Sequence, residues 1–166
     1  EAIARHAERF YGQGLDPETE VLVTTGATEG VFAAILGLTD PGDEVIVFEP
    51  VYDTYVPNMV MAGVTPRYVP LRGENWTFDP DELARAFNRR TRAIIVNTPH
   101  NPTGKVYSRE ELRVIAEQCQ RHNVVAITDE VYEHILYDDA SHTRLATLPG
   151  MGDHTLTISS LGKTFS

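Results

Sequence analysis

Apolar residues recur along this chain with two periods. Ile3, Ala7 and Phe10 stand at helical spacing, as do Val31, Ala34, Ile35 and Leu38, and again Leu112, Ile115, Ala116 and Cys119. Between these stripes lie short apolar runs with no alternation, such as Val45-Ile46-Val47-Phe48 and Ala93-Ile94-Ile95-Val96. The pattern predicts strands over 20–24, 44–48, 66–71, 92–96, 124–128 and 154–159. Helices are predicted over 1–11, over the stripe that starts at Val31, from Val51 to about Ala62, after Asp79 and after Ser108. Two helix starts carry explicit signals. Asp79-Pro80-Asp81-Glu82 offers a cap, a proline at the first helical position and an early glutamate, and Ser108 with Glu111 spells a capping box. Gly12 to Asp16 and Asp40-Pro41-Gly42-Asp43 read as turns.

Strands that are apolar on both faces, alternating with helices, predict an α/β fold: three layers, α/β/α, around a mostly parallel sheet. No internal repeat, linker or low-complexity segment interrupts the 166 residues. The chain opens inside a helix pattern without an initiator methionine and stops three residues past Lys163. It is therefore expected to be an internal piece of a longer protein.

Charge and composition narrow the function. The formal net charge is −10, which argues against a nucleic-acid footprint, and no apolar run is long enough to span a bilayer. Cys119 is the single cysteine, so no internal disulfide forms; it is expected as a small core residue in a reducing, cytoplasmic setting. Lys105 and Lys163 are the only lysines, which limits any lysine chemistry to two positions.

Residues with chemical potential collect at predicted strand ends, where open α/β sheets bind ligands. Gly26-Ala27-Thr28 lies between a strand and a helix; it is either a plain tight turn or a backbone cup for an anion such as phosphate. Tyr52 follows a strand, as a core residue or as a flat platform for an aromatic ring. Tyr55, one turn on, reads as packing. Asn101 lies in an Asn-Pro-Thr-Gly turn and is a turn residue or an amide donor; Asn97 and His100 beside it read as structural. Asp129 ends an apolar strand with no lysine or arginine in the next ten residues, so it is a helix cap or the partner of a cationic ligand atom. Tyr132 stands three residues on, while Glu130 and Glu133 read as structural or solvated. Asp138-Asp139 reads as an exposed turn, and no metal site is expected from ligand spacing. The chain closes on Ser159-Ser160-Leu161-Gly162-Lys163-Thr164-Phe165-Ser166, where a lysine past a strand is placed for an imine once partly desolvated. A lysine, a carboxylate, an aromatic platform and a phosphate cup together point to pyridoxal phosphate.

At these residues the sequence resembles the class I/II aminotransferases, the fold-type-I pyridoxal-phosphate enzymes. The likeness runs from about Leu15 to Ser166. It rests on Gly26-Ala27-Thr28-Glu29-Gly30, Glu49-Pro50-Val51-Tyr52-Asp53-Thr54-Tyr55, Asn97 through Gly104, Thr128-Asp129-Glu130-Val131-Tyr132 and Ser159 through Phe165, in that order. The wording is similar to the branch holding kynurenine, glutamine–phenylpyruvate, methionine and succinyldiaminopimelate aminotransferases. The resemblance implies that Lys163 carries pyridoxal 5′-phosphate as a Schiff base and moves the substrate α-proton. It implies that Asp129 pairs with the ring nitrogen, Tyr132 and Asn101 bond the ring oxygen, and Tyr52 stacks on the ring. Gly26, Ala27, Thr28 and Ser160 would hold the phosphate. Lys105 has no catalytic part and is read as exposed.

The implied activity is transfer of an amino group from an amino acid to a 2-oxo acid. A cysteine-conjugate β-lyase and the effector domain of an aminotransferase-like transcription regulator remain as alternatives. Residues 1–166 would form part of a large cofactor-binding domain. A closing N-terminal arm, a C-terminal small domain with a substrate-gripping arginine, and a homodimer partner would lie outside them. The isolated chain is then expected to bind cofactor weakly and not to turn over.

Overall fold

The computed structural model describes residues 1–165; Ser166, the last residue of the closing octapeptide, lies outside the described residues. Five strands, β1 (Glu44–Glu49), β2 (Thr65–Pro70), β3 (Thr91–Asn97), β4 (Val125–Asp129) and β5 (Thr155–Ile158), form one sheet in the order β2-β1-β3-β4-β5. Every neighbouring pair is parallel. Helices α1 (Ala2–Tyr11), α2 (Gly26–Leu38), α3 (Tyr55–Met61), α4 (Pro80–Ala86), α5 (Arg109–His122) and the short α6 (Leu161–Thr164) complete the fold.

The apolar runs explain the three layers. Successive side chains in a strand point to opposite faces. Ile46, Phe48, Ile94, Val96 and Ala126 therefore face one side, where they pack against Leu83 of α4 and Leu112, Ile115 and Cys119 of α5. Val45, Val47, Ala93, Ile95 and Ile127 face the other, against Val31 and Ile35 of α2 and Tyr55 and Met59 of α3. Each fully buried aliphatic side chain contributes about 1.5–3 kcal/mol, and both faces of the central strands collect it. Cys119 is fully buried, and burial pushes its thiol up to about 12.

Both written helix starts form. The Asp79 carboxylate accepts from the Asp81 and Glu82 amides, and Ser108 and Glu111 bond each other's backbone reciprocally. The helix after Val51 begins later than expected, at Tyr55. One glycine matters by geometry: Gly26 takes φ +79° at the turn into α2.

Three expectations are corrected. Residues 20–24 form no strand: among the described residues they pair with no ladder, and Leu22 and Val23 are exposed. An apolar run becomes a strand only through a partner's hydrogen bonds. The α1 stripe is buried only at Ala7, since Ile3 and Phe10 are about half exposed; α1 docks instead through polar residues. Lys105 is not solvated. Its side chain is 6% exposed, its Nζ lies 2.7 Å from Glu111 Oε1, and it sits 4.9 Å from the centre of the Tyr107 ring. The chain between it and the α5 cap is short enough for Glu111 to serve both.

Candidate active site

The carboxyl edge of the sheet places the chemistry. Asn97 and Asp129 end β3 and β4 and are register neighbours. By alternation, both lie on the face of Ile95 and Ile127, toward α2 and α3. Here the strand order changes direction: β2 lies on one side of β1 and β3 on the other. Such a switch point opens a crevice above the sheet.

The crevice is a cleft of about 360 Å³ measured to its open mouth. Lys163, Asp129, Tyr132, Asn101, Tyr52, Ala27 and Thr28 all line it, together with Tyr55 and Asn97. Seven of the nine residues singled out from the sequence thus converge from five separate chain segments. The other two do not. Gly26 supplies the turn that starts α2, and the Ser160 hydroxyl caps α6, accepting from the Gly162 amide at 3.2 Å.

Asp129 is 6% exposed. Its Oδ2 accepts from the Tyr55 hydroxyl at 2.5 Å, and its Oδ1 lies 3.4 Å from the Val131 amide. Burial pushes its carboxyl above the ordinary range, although the two hydrogen bonds and the Lys163 charge oppose the rise. Of the two readings left open, helix capping is the weaker: no helix follows, only a turn over 131–134. A buried carboxylate with no cation in bonding contact suits a cationic ligand atom.

The neighbouring loop is held by Asn97. Its amide donates to the Asp129 carbonyl at 2.9 Å, and its Oδ1 accepts from the Asn101 backbone amide at 2.6 Å. Asn101 Nδ2 stands 3.5 Å from the Tyr132 hydroxyl, so the two polar tips face one region. Tyr52 is half-buried and meets Tyr55 edge-on, with ring centres 5.4 Å apart. The first-turn amides of Ala27 and Thr28 have no intrahelical acceptor, as at any α-helix start. Glu29 reaches back to the Thr25 amide. Lys163 lies on α6, its Nζ 5.8 Å from the centre of the Tyr132 ring. It is exposed.

Sequence reasoning missed the role of Tyr55, taken there as packing alone. Its ring is indeed 3% exposed, but its hydroxyl is the direct partner of Asp129. The available signal was a phenol placed one helical turn beyond Tyr52.

The donor set fits pyridoxal phosphate: an amine, a buried carboxylate, paired phenol and amide tips, an aromatic face and a free helix start. Comparison with known proteins identifies the family. The profile of the family described as aminotransferase class I and II matches residues 1–166. Kynurenine–oxoglutarate transaminase 3 of Rattus norvegicus is 51% identical over 95% of this chain and 37% of its own length. A probable N-succinyldiaminopimelate aminotransferase of Mycobacterium tuberculosis is 53% identical over 99% of this chain and 42% of its own. The solved N-succinyldiaminopimelate aminotransferase from M. tuberculosis superposes with a TM-score of 0.96 at 53% identity, covering 99% of this chain and 43% of that one. An Escherichia coli protein with a methionine aminotransferase function gives 0.95 at 38% identity, over 99% and 44%. The chain thus spans about two-fifths of the length of its relatives. On the matched profile and these identities, it belongs to the class I and II aminotransferases.

Proposed function

We propose that the protein carrying this chain transfers an amino group from an amino acid to a 2-oxo acid, with pyridoxal 5′-phosphate held in the cleft above β3 and β4. The convergence of Lys163, Asp129, Tyr132, Asn101 and Tyr52 on that one cleft carries the reading. Bound there, pyridoxal phosphate supplies an electrophilic carbonyl and a ring that delocalises the electron pair left at the substrate α-carbon.

The chain's own residues do the rest. Lys163 Nζ would hold the group and, when free, would be the base that moves the α-proton. Asp129 would pair with the ring nitrogen and keep it protonated, because a buried carboxylate is stabilised by a positive neighbour. Tyr55 holds that carboxylate in place. Tyr132 and Asn101 would donate to the ring oxygen, and Tyr52 would cover one ring face. The α2 amides of Ala27 and Thr28 would hold the phosphate. Ser160, whose oxygen accepts from the Gly162 amide, would donate its O–H to the same phosphate.

Residues 1–166 form part of a large cofactor-binding domain in this reading, within a cytoplasmic homodimer. The shares of the relatives' lengths support the chain being part of a larger protein; the compartment and the partner rest on the family resemblance. The matched relatives are named for kynurenine, succinyldiaminopimelate and methionine, so the shared cleft serves several amino donors and side-chain choice lies outside it.

The test is an absorbance spectrum after adding pyridoxal phosphate, followed by borohydride reduction and peptide mapping. The expected result is a label fixed on Lys163. On the full-length protein, label on Lys105, or on neither lysine, overturns the assignment.

A further inference from the structure

On the side of the sheet where α1 docks, two imidazoles from distant parts of the chain meet. His6 Nε2 and His134 Nε2 are 2.7 Å apart across 128 residues of sequence. The Glu133 carboxylate joins them, and the three ligand atoms all lie within 4.8 Å of one another. We propose that His6, Glu133 and His134 form a binding site for a divalent transition-metal ion of the zinc class, clamping α1 to the turn after β4.

The ligand types select the ion. Two imidazoles and a carboxylate suit zinc, nickel or copper, whereas magnesium and calcium take oxygen ligands. The rings are held for the task. Phe10 packs against both, at centroid distances of 4.7 Å to His6 and 4.9 Å to His134, and the two imidazoles stand at 82° to each other. Glu133 is fixed by its own partners, accepting from Ser159 Oγ at 2.6 Å and from Arg144 Nη2 at 2.8 Å. Outer contacts of this kind orient metal ligands.

Geometry and charge both allow entry. A tetrahedral ion with bonds of about 2.0–2.1 Å needs its two nitrogens about 3.3 Å apart, so the rings must part by roughly 0.6 Å. In the pair as it stands, one Nε2–H donates to the other ring's lone pair. The ion takes the place of that proton, which moves through solvent to Nδ1 of its own ring, leaving two Nε2 lone pairs on the metal. Two carboxylates, Glu130 and Glu133, face the one Arg144 guanidinium, with His142 also on Glu130. Half-exposed histidines leave the remaining positions to water.

A second grouping, Glu130, Glu133 and His142, shows the contrast. There the Arg144 guanidinium sits on two of the three candidate ligands, Glu130 at 3.0 Å and Glu133 at 2.8 Å, whereas in the first grouping it bonds Glu133 alone.

The experiment is zinc titration of purified protein, stripped with EDTA and then freed of chelator, followed by calorimetry, with cobalt(II) as the spectroscopic probe. One zinc per chain is expected, with visible cobalt bands of a low-coordinate site and no binding of magnesium. His6→Ala and His134→Ala should each weaken zinc at least tenfold, with His134→Asn as the substitute if the alanine variant does not fold. His122→Ala and His154→Ala, which alter histidines elsewhere, should bind as the parent does. Zinc should raise the melting temperature of the parent but not of His134→Asn. Failure of the parent to bind zinc, or binding that survives both His6→Ala and the His134 variants, overturns the site.

Discussion

The Tyr55 hydroxyl donates to Asp129 Oδ2 at 2.5 Å, joining the first residue of α3 to the last residue of β4 across 74 positions. The bond works against burial, which alone would drive the Asp129 carboxyl further up. Tyr55→Phe removes the donor and keeps the ring. A hydrogen bond to a charged buried group contributes about 1.5–3 kcal/mol, so the cofactor-free variant should lose about 2 kcal/mol at pH 7. The pH dependence has a definite sign. A carboxyl whose folded pKa is raised costs stability as pH rises through that value and costs nothing once protonated. The deficit of Tyr55→Phe should therefore shrink, not grow, between a neutral and a more acid pH. Urea unfolding at the two pH values checks it, and a gap that widens in acid would refute the account.

Asp129 itself sets stability against binding. Asp129→Asn keeps an oxygen to accept from Tyr55 and removes a charge that is 6% exposed with no directly bonded cation. Without cofactor, the variant should be at least as stable as the parent at pH 7, with a gain of about 1 kcal/mol. Its affinity for pyridoxal phosphate should fall at least tenfold, since the ring nitrogen loses its counter-charge. Denaturant midpoints and a cofactor titration monitored by absorbance, on the same two proteins, read both sides.

What could be read in advance divides by the range of the interaction. The caps at Asp79 and at Ser108 with Glu111 were legible because each is closed within a few residues. The buried strands were legible because Val45 to Phe48 and Ala93 to Val96 are apolar on both faces. Lys163, Asp129 and Asn101 were legible because parallel strands deliver their carboxyl ends to one edge. The Tyr55–Asp129 bond was not, since it depends on strand order and on where α3 lies over it. Lys105 misled for the same reason: its partner is Glu111, six residues away, at no helical or strand period. Leu22 and Val23 carried a strand's composition without a neighbour to pair with.

Arg144 should be the costliest surface-distant residue to lose. It is 5% exposed and bonds Glu130 at 3.0 Å, Glu133 at 2.8 Å and Gln13 at 3.3 Å, with its guanidinium carbon 3.9 Å from the centre of the Tyr11 ring. Arg144→Met leaves two buried carboxylates without their shared cation. Breaking a buried pair by removing one partner costs about 3–5 kcal/mol. Arg144→Lys restores charge but not the fork that reaches both carboxylates, so it should recover only part of the loss. Urea midpoints for the three proteins test this, and equal stability of the methionine variant and the parent would exclude a structural role for the network.

His100 provides an acid-sensitive element in the Asn97–Gly104 loop. It is 5% exposed, its Nδ1 lies 2.8 Å from Thr103 Oγ1, and burial, reinforced by the Lys105 charge, depresses its pKa to about 4. The unfolded chain binds this proton near pH 6.5, while the folded chain resists it down to about 4. Stability from His100 is thus fully present above pH 6.5 and is lost as pH falls from 6.5 toward 4. A tenfold difference in proton affinity between the folded and unfolded chain corresponds to about 1.4 kcal/mol, and partial solvent screening brings the whole effect to the order of 2 kcal/mol. His100→Gln has no proton to gain there. Its unfolding free energy should fall less steeply than that of the parent between pH 6.5 and 4.5, and the two curves should run parallel above pH 7. Parallel curves across the whole range would mean that His100 already titrates freely in the folded loop, and its burial would then have no effect on the proton.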